Sequence, residues 1–279
     1  MTLQEALNRG RERLRQAQIA DYELDAWYLL EYAGKLDRSS YFLHCKEEID
    51  PQIQLEYELL LKKRAERVPL QYITGVQEFM GLEFKVNSHV LIPRQDTEVL
   101  VEEALKVLKP QMRVLDLCTG SGCIIVSLLK YGQALSGAAS DISKQALLVA
   151  KENARLNQVD AEFVRSDLFQ NITGRYDMII SNPPYIPTDV IETLMPEVRS
   201  FEPMEALDGK EDGLYFYHQI AEKAGQFMKP NGYLYFEIGH DQGESVAAIL
   251  ERHGYRNVRV IKDLSGNDRV AAGNLPAAL

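Results

Sequence analysis

Apolar positions recur at helical spacing over residues 1–70, switch to alternation over 71–95, and thereafter come as short solid runs separated by amphipathic stretches. The first stretch opens with Thr2 and Glu5 in capping-box relation. A second helix fits 21–32, and a third begins with Asp50 as N-cap and Pro51 at the first helical position, ahead of Leu55, Leu59 and Lys63. These predict a small helical domain over 1–70, with the basic run Lys62-Lys63-Arg64 and Arg67 on a solvated face. Between Pro69 and Pro93, β-formers take over at Tyr72-Ile73, Phe79, Leu82-Glu83-Phe84-Lys85-Val86 and Val90-Leu91-Ile92, which predicts a hairpin linker over 71–95. Beyond it, over 96–279, helices are expected at 97–108, 122–131, 143–157, 213–228 and 242–253, and strands at 113–117, 138–140, 161–165, 178–181 and 233–238. Such alternation gives an α/β fold with a doubly wound parallel sheet. Two closing extended runs, 256–263 and 268–272, are separated by a Ser-Gly-Asn turn and should pair antiparallel at one edge.

Composition narrows the field. With 31 Lys and Arg against 41 Asp and Glu, the 279-residue chain carries a net charge of −10, which repels a polyanion and disfavours nucleic acid as a partner. Three cysteines (Cys45, Cys118, Cys123) have no framework spacing, and no leader or long apolar span is evident, so a cytoplasmic protein with reduced thiols and no membrane contact is expected. No ligand set surrounds Cys118 and Cys123, and no metal is expected.

Chemistry gathers at the ends of the predicted strands, where open α/β sheets bind ligands. Asp116-Leu117-Cys118-Thr119-Gly120-Ser121-Gly122 joins a strand to a helix through glycines, but lacks the Lys of a P-loop and the spacing of the dinucleotide fingerprint. The Asp116 carboxylate disfavours a phosphate and favours an ammonium, such as the one S-adenosylmethionine carries beside its sulfonium. Asp141 closes the next strand at the distance expected of an acid that accepts from ribose hydroxyls. Asp167 and Leu168 close the third, suited to the adenine amino group and ring. At the fourth, Ser181-Asn182-Pro183-Pro184-Tyr185 reads either as a stiff turn or as a rigid acceptor site. As an acceptor site, the Asn182 side-chain oxygen and the Pro183 carbonyl would orient a planar amino group while Tyr185 packs on it. Beside a methyl donor, that loop suits an amide or an exocyclic amine alike.

The chain resembles the HemK/PrmC-type methyltransferases, which modify the glutamine of the Gly-Gly-Gln loop in peptide chain release factors. The resemblance runs through Pro69 to Gly75, Glu78-Phe79, Leu91-Ile92-Pro93-Arg94-Gln95-Asp96-Thr97-Glu98, the Asp116 loop and Asn182 to Tyr185. It continues through Phe201-Glu202-Pro203, Ala206 to Gly209, Asp212-Gly213-Leu214, Glu237-Ile238-Gly239 and Lys262-Asp263-Leu264. It implies a seven-stranded, Rossmann-like S-adenosylmethionine-dependent domain behind a helical domain that docks the release factor. Cys118 to Gly122, Asp141, Leu168 and Asn182 would contact the cofactor, and Asn182, Pro183, Pro184 and Tyr185 would hold the acceptor glutamine. A monomer acting on a protein substrate is expected. The chain departs from the pattern at Lys210, where Gly is usual, at Gln95, where Pro is usual, and at Leu168, where some members carry an aromatic. A glutamine of a ribosomal protein and an adenine of DNA or RNA are the alternative acceptors. Arg94, Thr97 and Glu98 read as a lid or a helix cap, and Glu202 with 208–212 as an acidic rim.

Overall fold

In the computed structural model, residues 1–133 and 135–276 are described. The chain divides into two compact units: Met1–Gly75 with Met195–Phe201, and Val76–Leu194 with Glu202–Leu279.

The first unit holds α1 (Leu3–Gln16), α2 (Tyr22–Gly34), α3 (Arg38–His44), α4 (Pro51–Ala65) and α5 (Leu70–Thr74). Helix α1 starts with the expected box: Thr2 Oγ1 accepts from Glu5 N, and Glu5 Oε2 accepts from Thr2 N at 2.9 Å. Asp50 caps α4 by accepting from the Gln52 and Ile53 amides. Leu7, Leu14, Leu29, Leu30, Tyr57 and Leu61 interlock at its centre. Arg64 corrects the expected solvated face: it is buried, donating to Asp25 at 2.6 Å and to Glu197 at 3.0 Å, with Arg67 on the same Glu197 oxygen. Two short helices depart from the expectation: α3 was unforeseen, and α5 takes up Tyr72-Ile73, which was expected as extended, so the hairpin begins at Val76 rather than at 71. Helix α5 starts after Pro69 and ends at Gly75, whose φ of 79° closes it in left-handed fashion.

The second unit begins with the hairpin β1 (Val76–Phe79) and β2 (Leu82–Lys85), so the hairpin packs as part of this unit. The expected extended run at Val90-Leu91-Ile92 is irregular instead. There follow α6 (Asp96–Leu105), β3 (Arg113–Leu117), α7 (Cys123–Tyr131), β4 (Ser136–Asp141), α8 (Lys144–Leu156), β5 (Glu162–Arg165) and β6 (Tyr176–Ser181). A further helix, α9 (Pro196–Phe201), falls in the segment that belongs to the first unit. The chain ends with α10 (Tyr215–Ala224), β7 (Met228–Glu237), α11 (Gly243–Arg252), β8 (Arg256–Lys262) and β9 (Asp268–Asn274).

Seven strands form one sheet in the order β5-β4-β3-β6-β7-β9-β8, parallel except for β9, which runs antiparallel to β7 and β8. The two closing strands thus pair antiparallel as expected, with β9 slotted beside β7 rather than both trailing off the edge. Alternate residues of each strand feed opposite layers. Leu115, Leu117, Ile179, Leu234 and Phe236 pack with α10 and α11 residues such as Tyr217, Ile220 and Leu250. Val114, Met178, Ile180 and Tyr235 pack with Leu100, Ile124 and the hairpin's Phe79 and Phe84. Asp116 and Glu237 share the parity of the second set, and register does the rest. Leu117 lies beside Ser140 and Ser181, and Ser181 lies beside Phe236, so the loops after β3, β4 and β6 and the end of β7 all reach one edge.

Candidate active site

The sheet reverses winding direction between β3 and β6, and the crevice there is where ligands settle in open α/β sheets. A cavity of about 460 Å³ occupies that place, within the second unit. Cys118, Thr119, Gly120, Ser121, Asp141, Asp167, Leu168, Asn182 and Pro184 line it. Asp116, Gly122, Pro183 and Tyr185 do not reach its wall, although all four belong to the loops that form it.

Each loop is fixed by identifiable bonds. The loop after β3 is latched across two strands: Ser181 Oγ donates to the Leu117 carbonyl at 2.7 Å, and the Thr119 amide donates to the Ser140 carbonyl at 3.0 Å. Cys118 holds a φ of 58°, a left-handed backbone that a side chain rarely adopts and that this site sustains by those bonds. Gly122 starts α7 pressed against α8; a Cβ there would stand 3.0 Å from the Ala150 Cβ. Asn153, fully buried on α8, donates to the Ser121 carbonyl at 2.9 Å and exchanges two bonds with the Lys85 backbone, clamping the hairpin and the glycine loop together. Nothing in the sequence pattern distinguishes Asn153 from a surface residue of an amphipathic helix.

Asp141 ties the end of its own strand to the glycine loop. Its oxygens accept from the Gly120 amide at 2.9 Å and the Ser143 amide at 2.8 Å, while the residue also faces the cavity with lone pairs remaining. Desolvation pushes its pKa up. Asp116 lies deeper. It is fully buried beneath the loop, Oδ2 accepts from the Thr119 hydroxyl at 2.6 Å, and Oδ1 has no partner. Burial raises its pKa to about 7, so the direct ammonium contact expected from the sequence gives way to a support beneath the loop. Asp167 is exposed at the rim, with Gln170 donating to it, and Leu168 turns into the cavity from a left-handed φ of 45°.

On the acceptor side, Asn182 is half-buried and donates through Nδ2 to the Thr97 hydroxyl at 3.4 Å. Tyr185 donates to Glu237 Oε1 at 3.4 Å, and Gln242 Nε2 donates to the Tyr185 carbonyl at 3.0 Å. The segment 207–213 lies directly on this loop: a Cβ on Gly213 would meet the Tyr185 carbonyl oxygen at 2.3 Å, which accounts for the glycine there. Lys210, standing where Gly is usual, keeps the left-handed backbone at φ 73° and pairs with Asp208 at 2.8 Å.

The expected acidic rim is revised by this geometry. Glu202 is buried and paired with Arg94, and Asp208 is engaged by Thr188 and Lys210. The lid-or-cap reading of 94–98 resolves residue by residue: Arg94 and Thr97 line the cavity, whereas Glu98 accepts from the Met80 amide at 2.6 Å and holds the hairpin. The apolar wall residues Val90 and Leu91, from an irregular segment, and Met204, from a single 3-10 turn, lacked any periodic signal.

These features fit a nucleoside. The cavity offers an acid with spare acceptor capacity at Asp141, an apolar face at Leu168 and the loop of Cys118 to Ser121, while the Arg94 and Lys210 side chains in its wall are already paired with Glu202 and Asp208 rather than free for a polyphosphate. Among the described residues, no group of three or more His, Cys, Asp or Glu is placed to hold a metal ion, and no helix is long and apolar enough to cross a membrane.

Comparison with known proteins agrees with the geometry. Residues 5–75 match the PrmC N-terminal domain, and residues 94–195 match the methyltransferase small domain. A release factor glutamine methyltransferase of Agrobacterium fabrum is 41% identical over 277 residues, covering 96% of each chain. One from Moorella thermoacetica is 42% identical, covering 96% of this chain and 97% of its own. The crystal structure of a methyltransferase from Pyrococcus furiosus superposes with a TM-score of 0.56 at 16% identity, covering 77% of this chain and 99% of that one, which shows the shared fold.

Proposed function

Because the chain belongs to the release factor glutamine methyltransferase family, we infer that it methylates the side-chain amide nitrogen of the glutamine in a release factor's Gly-Gly-Gln loop, using S-adenosylmethionine. When bound, the cofactor supplies a methyl carbon made electrophilic by the adjoining sulfonium. The observation that carries the assignment is one cavity walled on one side by the glycine loop with Asp141 and on the other by Asn182.

The chain's residues then divide the work. Backbone of Cys118 to Ser121, the Asp141 carboxylate, Asp167 and Leu168 hold the nucleoside. The Asn182 side-chain oxygen and the Pro183 carbonyl accept the two N–H bonds of the acceptor amide, Pro184 keeps their spacing rigid, and Tyr185 bounds the acceptor. These bonds raise electron density on a nitrogen whose lone pair is delocalised, and they align it before transfer. No strong base is required, because the nitrogen becomes acidic as it is methylated and sheds its proton afterwards.

The helical unit is assigned to docking the release factor. It leaves Leu24, Tyr28 and Tyr32 exposed at four-residue intervals along α2, and Leu55 with Leu59 along α4, more apolar stripe than a solvated helix carries.

Radiolabelled S-adenosylmethionine offered with purified release factor, its Gln→Ala loop variant, ribosomal proteins and DNA or RNA tests the assignment. Label is expected on intact release factor alone; label on the Gln→Ala variant, or only on nucleic acid, would overturn it. Asn182→Ala should abolish transfer while S-adenosylmethionine binding, read by calorimetry, stays within about threefold.

A further inference from the structure

Behind the acceptor loop stands a buried carboxylate that the reaction as described does not use. Glu237, at the end of β7, is only 2% exposed, and its Oε2 has no hydrogen-bond partner. Burying a carboxylate with an unpartnered oxygen is costly, and such a group calls for a reason. Its other contacts supply one. The Tyr185 hydroxyl donates to Oε1, and the Thr97 hydroxyl lies close enough to the carboxylate to lower its pKa. Thr97 in turn receives Nδ2 of Asn182.

The direction of these bonds is forced by chemistry. An ionised carboxylate only accepts, so a Thr97 proton turned to Glu237 leaves the Thr97 oxygen only to accept from Asn182. The Asn182 amide is thereby oriented with its NH2 toward α6 and its oxygen toward the cavity. Were Glu237 neutral, the carboxylic O–H could donate to Thr97, whose own proton could turn to Asn182, and the amide could settle the other way round. An NH2 would then face the NH2 of the acceptor.

We propose that Glu237 is a positioning residue for methyl transfer, acting through Thr97 to fix which end of the Asn182 amide meets the acceptor nitrogen. The proposal rests on the reading of Asn182 given above. The groups that face Glu237 come from every neighbouring element. They are Asp96 and Thr97 from α6, Cys123 from α7, Tyr185 from the acceptor loop, Tyr217 from α10 and Arg269 from β9. Of these, Arg269 is already engaged by Asp96 at 3.0 Å and Asp263 at 3.2 Å. Desolvation dominates the balance and brings the carboxyl to about 7, so its charge changes near neutral pH.

The test is steady-state kinetics of the full chain at saturating S-adenosylmethionine from about pH 5.5 to 8.5. Wild type is compared with Thr97→Val, Thr97→Ser, Glu237→Gln and the Thr97→Val/Glu237→Gln double variant. Thr97→Val and Glu237→Gln should each lower kcat about tenfold or more while the KM for the cofactor stays within about twofold. Thr97→Ser, which keeps the hydroxyl, should retain most of the activity. The double variant should be no slower than the slower single, because both substitutions break one relay. Wild-type kcat should fall as pH drops through about 7, where Glu237 gains its proton, and Glu237→Gln should lose that limb. Multiplicative losses in the double variant, a surviving acid limb in Glu237→Gln, or wild-type kcat in either single would sink the proposal. Cofactor binding by each variant reports that it is folded. If wild type labels a planar nitrogen other than the release factor's glutamine, the assignment of substrate fails alone, and the same comparison on that acceptor still decides the relay.

Discussion

Two buried carboxyls, Asp116 on β3 and Glu237 at the end of β7, are both raised to about 7 because burial penalises their charge. A carboxyl raised in the folded state contributes stability that is full below its unfolded pKa and is lost as pH rises through the folded value. Glu237→Gln should therefore leave the melting temperature almost unchanged at about pH 4 and raise it at pH 8 by several degrees, on the order of 3 kcal/mol, since the carboxyl is raised from 4.5 to about 7 and each pKa unit is worth about 1.4 kcal/mol. Calorimetry at the two pH values checks this, and equal shifts at both would contradict it. The same substitution thus stabilises the fold while slowing the reaction, as expected where a site is kept at the expense of stability. At this scale the sequence gives residue type and spacing but not depth. Asp116 was legible as a member of the cofactor loop, yet its place beneath that loop depends on the bond from Thr119 and the parity of β3. Thr97 read as a helix cap because Thr suits that role, whereas the cap position falls to Gln95 without a side-chain bond and Thr97 is buried facing Asn182.

Among elements, the regular ones were legible and the irregular ones were not, for one reason. Strands β3, β6 and β7 carry apolar runs long enough to declare themselves, and their order follows from alternation with helices. Segments such as Val90-Leu91 and 203–206 carry apolar residues without period, because they face the cavity from outside the long helices and strands. The segment 207–213 shows how tight that holding is. Gly213 has a φ of 73° and lies against the Tyr185 carbonyl, with the Gln242 amide close by. Gly213→Ala must displace either its own loop or the acceptor loop, and a displacement near 1 Å at a reacting centre costs up to about 100-fold in rate. The expected outcome is a kcat at least tenfold lower with cofactor affinity almost unchanged, measured by turnover and calorimetry; a weakened cofactor with normal kcat would place the strain on the other wall.

Over the whole chain, the division into a helical part and a doubly wound part follows from the change of hydrophobic period near residue 70, but one assignment could not be read that way. Met195–Phe201 lies far along the sequence yet packs with the first unit, through Glu197 buried between Arg64 and Arg67. A pairing across so many residues leaves no local pattern, and for that reason Arg64 passed for part of a solvated basic run. At this scale the docking role proposed for the helical unit can be put to the test. Its exposed Leu24 and Tyr28 stand one turn apart on α2, so a partner laid on that face would cover both. Leu24→Ser with Tyr28→Ser removes apolar area without touching the buried core or the cavity. The KM for release factor should rise about tenfold, the loss of roughly 1.4 kcal/mol of docking, while kcat, cofactor affinity and melting temperature hold. Steady-state kinetics with release factor as the varied substrate reads this split. A fall in kcat at unchanged KM would mean that α2 acts on the transfer step, and no change in either would remove α2 from the docking surface.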